Sequence, residues 1–426
     1  MKKNAICLSL IVLVTIIFRT NFLGILTLDA GGYPFQYDSE DLAIGAIVAE
    51  KYNINDSWLG RITSKYIEKE YIGEDIYLNK LDINNNLNFD EYRSQIGLQG
   101  SFYATISKFI DNRYLIEFFR WLNSFLLSVI LFTICYIIKI KYNFLMSVIW
   151  GLVFLISPYI LNFSHNLYWV EFTWFLPVLI GLVASEDSIN FKFKKLFIAI
   201  GIFVSIFIKC LCGYEYLSTI MIIMIMFVLS DILVNIYTTN MTEIKRKLKL
   251  FFIISLCGLC GFTAALSVHG YYRGNGDIST GIHDIYQKDI LRRTIVGTEN
   301  NFNSSNSLIM KSIQVPTIKV VTKYFKPYSE NQNFIIKLAG KAFWPLSVVS
   351  LIIMIFRLCY RKINRIENIQ ILSLFLISLI GTLSWIILAK SHSYIHTHIN
   401  YVLWFLGYVQ MMVYILVSSL LALKKG

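Results

Sequence analysis

Apolar runs of about 20 residues recur along the whole 426-residue chain, and they constrain its fold more than any other sequence feature. A helix of about 20 apolar residues is long enough to cross the hydrocarbon core of a bilayer. Charged residues make up only 15% of the chain, against about a quarter in soluble domains. Ten spans are predicted, at 5–28, 115–138, 143–161, 167–184, 196–212, 217–236, 250–268, 341–359, 369–389 and 401–422. The sequence therefore predicts an all-α polytopic membrane protein embedded in a lipid bilayer.

The spans divide the chain into five parts. These are a first transmembrane helix at 1–28, a loop at 29–114, helices two to seven at 115–268, a second loop at 269–340, and helices eight to ten at 341–426. The N-terminal run is similar to a signal peptide, but no small-residue cleavage site follows it, so we expect it to remain as the first span.

Basic residues cluster in the short segments between alternate spans. The clusters lie at 2–3, 139–141, 192–195, 245–249, 357–365 and 424–425. This face carries 17 bases and five acids, whereas the rest of the chain carries 22 of each, so the formal net charge of +12 lies on one face. Lys and Arg concentrate in cytoplasmic loops. We therefore predict an integral plasma (inner) membrane protein with both termini in the cytoplasm and both long loops outside. This topology accounts for the basic charge, and no nucleic-acid partner is expected.

The stretch "YDSEDLAIGAI" at 37–47 places Asp38, Glu40 and Asp41 close together just after the first span. The apolar residues that follow have helical spacing, which predicts a helix lying along the membrane surface. Ser39 is positioned to cap this helix, with Glu40 and Asp41 in its first turn. The acidic cluster therefore has two interpretations, a helix cap or a catalytic site. Residues 53–92 are expected to form irregular loop, and Gly97 and Gly100 to allow close backbone approach.

Ionisable residues at membrane depth are costly and usually functional. Several here lie near the predicted outer ends of spans, namely Arg19, Glu171, Lys209, Glu215, Lys390 and the histidines of "HSYIHTH". They predict an external cavity at membrane level. His392, His396 and His398 have three interpretations: metal ligation, contact with a phosphate or another substrate group, or interfacial packing.

This pattern resembles the GT-C superfamily, polytopic glycosyltransferases that use polyprenyl-phosphate-linked sugar donors. Those enzymes carry an Asp or an Asp/Glu pair in the first external loop, followed by a helix along the membrane surface. "YDSEDLAIGAI" stands in the same place here, and the long second loop also fits. In this sequence the acids read Asp38-Ser39-Glu40-Asp41, so the serine separates the first acid from the second.

The resemblance implies an inverting glycosyltransferase with its active site facing outside. A carboxylate must then take the acceptor hydroxyl's proton, and cations must stabilise the departing phosphate. Asp38 is the predicted base and Glu40 its neighbour. The predicted substrate or phosphate contacts are Arg19, Lys209, Glu215, Arg273, Lys390, His392 and His396, with Arg93, Arg292 and Arg293 as further loop candidates. A monophosphate donor requires no metal, whereas a diphosphate donor often requires a divalent ion. The expected partners are the lipid-linked sugar donor and a glycan or lipid-linked acceptor.

Three other functions compete with this interpretation. A polysaccharide polymerase that joins lipid-linked repeat units shares the topology but relies on arginines and histidines of the large loop. The stretch 273–293 supports that alternative. A transporter or flippase for a lipid-linked sugar is the second. It is disfavoured because the chain has no evident repeat and its polar residues lie towards one face. A non-enzymatic assembly factor is the third.

Overall fold

The structure is a computed structural model that describes residues 2–26, 34–54, 58–69, 71–81, 86–110, 112–326, 334–359 and 365–423. Parts of several predictions lie outside the described residues. These are the end of the first span at 27–28, the start of the loop at 29–33, and four of the predicted cytoplasmic bases, Arg361, Lys362, Lys424 and Lys425.

Helices account for most of the described residues. They are α1 (Lys2–Thr20), α2 (Tyr37–Lys51), α3 (Gly73–Tyr77), α4 (Leu98–Ser107), α5 (Leu115–Lys141), α6 (Phe144–Ile156), α7 (Pro158–Phe163), α8 (Phe172–Ser185), α9 (Lys194–Cys212), α10 (Leu217–Tyr237), α11 (Met241–Arg273), α12 (Ile278–Ile285), α13 (Leu291–Arg293), α14 (Ser307–Gln314), α15 (Thr317–Tyr324), α16 (Phe334–Cys359), α17 (Arg365–Leu388), α18 (Lys390–Ile395), α19 (Thr397–Asn400) and α20 (Tyr408–Leu423). Short 3₁₀ segments lie at Pro34–Gln36 and Tyr401–Leu406, and a π-helical turn at Tyr286–Ile290 links α12 to α13.

Six of the described helices are long and apolar enough to cross a membrane, which confirms a multi-pass membrane protein. They lie in α5, α9, α10, α11, α16 and α17, and a seventh candidate is the pair Thr397–Leu406 and Tyr408–Ala422, bent by 52°. The bend falls at Gly407, whose φ of 154° favours glycine. Three further apolar helices, Ala5–Thr20, Phe144–Ile156 and Phe172–Ser185, coincide with predicted spans but are shorter than a straight span requires. The count of ten spans therefore stays a prediction.

Helix α10 lies in the middle of the bundle, where it contacts α8, α11 and α17. Its contact with α8 is close because Gly181 faces the backbone of Met224, and a Cβ at Gly181 would lie 1.9 Å from that carbonyl oxygen. Helix α9 packs between α8 and α11. The core is a helical bundle without a sheet among its described residues.

One end of the bundle collects the predicted cytoplasmic segments. The buried carboxylate of Asp231, near the end of α10, lies 3.0 Å from Lys141 Nζ of α5 and 2.9 Å from Lys247 Nζ of α11. Arg246 pairs with Asp187 in the α8–α9 connection at 2.7 Å. These contacts bring three basic segments to one pole, as the predicted topology requires. The membrane face on which this pole lies stays a prediction.

The first long loop contains a two-stranded sheet. Strands β1 (Gly60–Ser64) and β2 (Leu87–Glu91) pair antiparallel, with Ile62 opposite Phe89. The expectation of an irregular loop across 53–92 is therefore wrong at both strands and at α3. In β2, Leu87 and Phe89 turn inward while Asn88 and Asp90 face outward. Gly100 meets the predicted need for close approach, since a Cβ there would lie 1.7 Å from the carbonyl oxygen of Trp58.

Helix α2 is present where the sequence predicts a helix, but two details differ. It begins at Tyr37, so Ser39 lies inside it and does not cap it. Ser39 Oγ instead donates to the carbonyl of Gln36 at 2.8 Å. Residues from Glu40 to Ala49 are all buried, because β1, α3 and α4 enclose the helix. Its position along the membrane surface stays a prediction.

The second long loop begins later than expected. Helix α11 continues past the predicted end at 268, through His269 and Gly270, to Arg273, and it ends at Gly274. Helices α12 to α15 then form the loop and pack against α11, α17 and α18.

Candidate functional site

Arg120 gathers three carboxylates near the start of α5. Its buried guanidinium donates to Glu40 at 2.6 Å, to Glu74 at 2.8 Å and to Glu117 at 2.7 Å. Glu117 also pairs with Arg19 of α1. This network joins α1, α2, α3 and α5, and it contains two of the predicted site residues, Arg19 and Glu40.

The Glu40 carboxylate is bonded through both oxygens. Arg120 contacts Oε1 and Oε2, and the backbone N–H of Leu167 donates to Oε1 at 3.1 Å. Charge-assisted hydrogen bonds of this kind are strong, and they occupy the lone pairs that a base would use. In this geometry Glu40 holds α2 against α5. Its predicted role beside a catalytic base stays a prediction.

Asp41 is buried on the other side of α2. Its Oδ1 accepts a hydrogen bond from the backbone N–H of Gly73 at 3.1 Å, at the start of α3, and its Oδ2 has no hydrogen-bond partner in the described part of the chain. Burial raises the pKa of the Asp41 carboxyl to about 6, although the Gly73 bond and the Arg61 guanidinium oppose the shift. Asp41 therefore links α2 to α3.

Asp38 is half-buried, and its Oδ1 is buried without a hydrogen-bond partner among the described residues. The next residue, Ser39, accepts a hydrogen bond from Trp169 Nε1 at 2.8 Å. Asp38 thus adjoins a residue that contacts Trp169, and it forms no ion pair within the described part of the chain.

A cavity of about 390 Å³, which we call the polar cavity, lies at the end of the bundle opposite the Asp231 pole. Its wall is formed by Tyr92, Tyr168, Trp169, Glu215, Arg292, Arg293, Asn306, Leu308, Ile309, His392, Ile395, His396 and Ile399. These residues come from the segment after β2, the α7–α8 and α9–α10 connections, α13, the start of α14, and α18 and α19 with the residue between them. The fold therefore brings together positions as far apart in the chain as Tyr92 and Ile399.

Three arginines at or near the polar cavity contact the same carboxylate, that of Asp289. Asp289 lies 2.5 Å from Arg273, 3.5 Å from Arg292 and 3.6 Å from Arg293. Arg273 has a second carboxylate, Asp284, at 2.6 Å. Among the described residues, the carboxylate contacts of Arg292 and Arg293 are the longer ones to Asp289, and Arg293 also donates to the Tyr92 hydroxyl at 3.3 Å. Both guanidinium groups therefore retain capacity to bind an anion.

His392 of α18 and His396, the residue that follows α18, face the same cavity. The rings of His392 and His396 lie 4.7 Å apart between centroids. Burial lowers the pKa of His392 well below its usual range and lowers that of His396 to about 4, with the nearby arginines adding to both shifts. Both rings are therefore neutral at pH 7. His392 Nδ1 is buried and has no hydrogen-bond partner within the described ranges.

A second cavity of about 270 Å³, which we call the apolar cavity, lies beside the polar cavity. Six of its sixteen lining residues come from the ends of three candidate spans, α10, α11 and α17. The residues are Leu217, Ser218, Phe262, Leu266, Trp385 and Leu388. Glu215, Arg293 and His392 line both cavities. An apolar space at the end of the spans thus meets a cationic space beyond them.

The structure brings three of the predicted site residues, Glu215, His392 and His396, into the polar cavity. No described residue donates a hydrogen bond to the Glu215 carboxylate, although Glu215 is itself buried. Two predicted phosphate contacts have partners within the protein. Lys209 Nζ donates to the Gly213 carbonyl, and Lys390 Nζ to the Ile313 carbonyl, both at 2.5 Å.

Arg273 also lies outside the polar cavity, held by Asp284 and Asp289, and Arg19 is paired with Glu117. The predicted phosphate contacts of Arg19, Lys209, Arg273 and Lys390 stay predictions. Each would require the side chain to leave its present partner.

Within the described ranges, no group of three or more His, Cys, Asp or Glu side chains is placed to hold a metal ion. The "HSYIHTH" histidines include the neighbouring pair His392 and His396, while His398 lies farther away, with its ring centroid 6.4 Å from that of His396. The divalent ion expected for a diphosphate donor therefore has no evident ligand set in these residues.

Sequence reasoning missed two residues that organise this end of the bundle. Arg120 lies inside a predicted span, in "FFRWLN", and an arginine at membrane depth is itself a signal of a buried partner. Asp289 gave no such signal, because an acid in "YQKDILRR" is an ordinary loop residue until the fold sets three arginines around it. Arg292 and Arg293, which the sequence ranked below other candidates, line the polar cavity.

No protein family, curated protein or solved structure matches this chain. The geometry of the two cavities is therefore the basis for a functional proposal.

Proposed function

We propose that the chain is a GT-C-like membrane glycosyltransferase. It would move a sugar from a polyprenyl-phosphate donor to a glycan or lipid-linked acceptor on the external face of the membrane. One observation carries this proposal. The apolar cavity, at the ends of three candidate spans, shares Arg293 and His392 with the polar cavity. There Arg292 and Arg293 lie 3.5 and 3.6 Å from Asp289, the carboxylate that they share. A ligand with an apolar tail and an anionic head matches that arrangement.

In this proposal the lipid tail follows the apolar cavity, and the phosphate binds Arg292 and Arg293. The acceptor oxygen forms a bond to the anomeric carbon while the bond from that carbon to the phosphate oxygen breaks. A base takes the acceptor's proton, and the negative charge that grows on the departing phosphate is stabilised by the two arginines. The neutral His392 and His396 can donate hydrogen bonds to the same group.

Two carboxylates are candidates for the base. Asp38 remains the predicted one, because its Oδ1 lacks a hydrogen-bond partner in the described structure and because it lies next to Ser39, which contacts the cavity wall at Trp169. Glu215 is the second candidate, since its side chain lines both cavities. Glu40 is the least suited of the acids because Arg120 occupies its oxygens.

A polysaccharide polymerase is the second candidate function. The observation that favours it is the position of Arg292 and Arg293, which belong to the second long loop and line the polar cavity. Such an enzyme would also take a lipid-linked anionic substrate, but its donor would carry a preassembled repeat unit.

The test is sugar transfer by purified protein from a defined polyprenyl-phosphate sugar. Arg293→Gln should reduce donor use about tenfold to a hundredfold, as expected for the loss of one charge-assisted contact worth roughly 1.5–3 kcal/mol. Asp38→Asn should lower turnover about 10²–10⁴-fold with donor binding retained. Arg113→Gln is the control, because Arg113 is exposed and lies outside both cavities.

Three results would count against this assignment. Unchanged donor kinetics in Arg293→Gln would remove the phosphate site. Collapse in Glu215→Gln with normal turnover in Asp38→Asn would transfer the role of base to Glu215. Polymerisation of lipid-linked repeat units, without transfer from a single-sugar donor, would favour the polymerase.

A further inference from the structure

A third cavity, of about 370 Å³, lies next to the polar cavity and is not used by the reaction described above. We call it the outer cavity. It is formed by the residues just before β1, by the end of β2 and the segment after it, and by the end of α11 with the turn that follows. The residues that matter for its chemistry are Trp58, Glu91, Tyr92, Arg93, Tyr272 and Asn275.

Two aromatic rings form one side of the outer cavity. Trp58 and Tyr272 lie 5.5 Å apart between ring centroids, with their planes inclined at 55°. Trp58 is half-buried, whereas Tyr272 remains 56% exposed at the end of α11. Rings placed like this present an apolar face to the cavity and keep a polar edge in water, which suits a ligand with both kinds of surface.

Polar groups line the same cavity. Glu91 Oε2 accepts a hydrogen bond from Arg93 Nε at 2.7 Å, and both side chains remain accessible. Together with the Asn275 amide they offer planar donors and acceptors beside the rings. Aromatic faces with a few convergent polar groups are suited to pyranose sugars, whose C–H faces stack on rings while their hydroxyl groups form hydrogen bonds.

The charges of the outer cavity are balanced. Arg93 is paired with Glu91, and Arg273 is paired with Asp284 and Asp289. The outer cavity therefore differs from the polar cavity, where Arg292 and Arg293 share Asp289 at 3.5 and 3.6 Å. A neutral, hydroxyl-rich ligand fits the outer cavity better than a phosphate does.

The outer cavity and the polar cavity adjoin. Tyr92 lines both, and its hydroxyl oxygen accepts a hydrogen bond from Arg293 at 3.3 Å. Arg273 of the outer cavity contacts the same Asp289 that faces Arg292 and Arg293. A chain of sugars bound in the outer cavity could thus extend past Tyr92 towards the proposed donor phosphate.

We propose that the outer cavity is a subsite for a neutral oligosaccharide, with Trp58 and Tyr272 stacking on its sugar rings and Glu91, Arg93 and Asn275 bonding its hydroxyl groups. Its assignment as the acceptor subsite rests on the proposed function. The binding of saccharide does not depend on catalysis, so the two can be tested separately.

The first measurement is calorimetric binding of neutral hexose and N-acetylhexosamine oligosaccharides, three to five sugars long, to the full-length protein in detergent. At least one should bind, and Trp58→Ala or Tyr272→Ala should weaken that binding at least tenfold. Tyr272→Phe should keep most of it, because the ring is retained. Tyr271→Ala is the matched control, since Tyr271 is a neighbouring exposed tyrosine that does not line the cavity.

The second measurement is sugar transfer to the same oligosaccharide, where Tyr272→Ala should raise the acceptor KM and leave the donor KM unchanged. If transfer occurs but both KM values stay normal in Tyr272→Ala and Trp58→Ala, the subsite is overturned and the glycosyltransferase stands. If wild type binds saccharide through Trp58 and Tyr272 but transfers nothing, the saccharide site stands and the proposed function fails. Failure of every neutral oligosaccharide to bind, or preference for a phosphorylated one, would refute the site.

Discussion

Asp41→Asn should stabilise the protein at neutral pH and leave its stability unchanged in acid. Asp41 is buried on α2, and its Oδ1 accepts one hydrogen bond, from Gly73. An asparagine side chain of the same shape can keep that bond through its own oxygen. The substitution therefore removes the buried charge without removing the contact between α2 and α3.

The magnitude follows from the pKa. Burial raises the Asp41 pKa to about 6 in the folded protein, against about 3.9 in an unfolded chain. At about 1.4 kcal/mol for each unit of difference, the ionised form costs about 3 kcal/mol of folding free energy. Below pH 4 the carboxyl is protonated in both states, so no cost arises. The cost grows as the pH rises from 4 to 6, because the unfolded chain then binds fewer protons than the folded one, and it is complete above 6.

Thermal unfolding in detergent at pH 4.5, 6 and 7.5 tests this, with wild type and Asp41→Asn compared at each pH. The difference between their midpoints should be small at pH 4.5 and largest at pH 7.5, in favour of the variant. Asp90→Asn is the control, because Asp90 is exposed on β2 and should show no such trend. A constant difference across the three values, or a less stable Asp41→Asn at pH 7.5, would refute the reasoning.

Two further predictions concern the bundle and its orientation. Arg120→Met should destabilise the protein by about 3–5 kcal/mol, because it leaves Glu40 buried without its cation. Adding Glu40→Leu should recover much of the loss in yield and melting temperature. Equal stability of Arg120→Met and wild type would show that the pair does not hold α2. Reporter fusions after Lys141 and Lys249 should report the cytoplasm and a fusion at Ser305 the outside, and the opposite result for Ser305 would overturn the assignment of the cavities to the external face.

The helical membrane fold could be predicted because apolar run length is a direct consequence of bilayer thickness. The exact spans were harder to predict because local chemistry interrupts apolar runs. The run at 143–161 is one span by hydropathy, but Ser157 caps a new helix at Pro158 and divides the run into α6 and α7. In the predicted span at 167–184 the helix begins only at Phe172. The Asn166 side-chain oxygen accepts hydrogen bonds from the backbone N–H groups of Tyr168 and Trp169, and these bonds hold a turn there.

Less of the candidate site could be predicted. Residue type and position near the end of a span identified Glu215, His392 and His396, which do meet in the polar cavity. The same criteria also selected Lys209 and Lys390, whose ammonium groups bond nearby backbone carbonyls. The sequence shows that a charged side chain at membrane depth is costly. Only the fold shows whether that side chain contacts another protein group or lines an open cavity.

The sharing of Asp289 has a consequence for cooperativity between ligands. An anion bound to Arg292 and Arg293 would compete with Asp289 for these cations, so the Asp289 carboxylate would interact more strongly with Arg273, 2.5 Å away in the wall of the outer cavity. Equilibrium coupling is reciprocal. Saccharide affinity measured with and without inorganic phosphate should therefore differ, whereas equal affinities would show that the cavities bind independently. Through Asp289, a ligand bound in either cavity would change the affinity of the other cavity for its ligand.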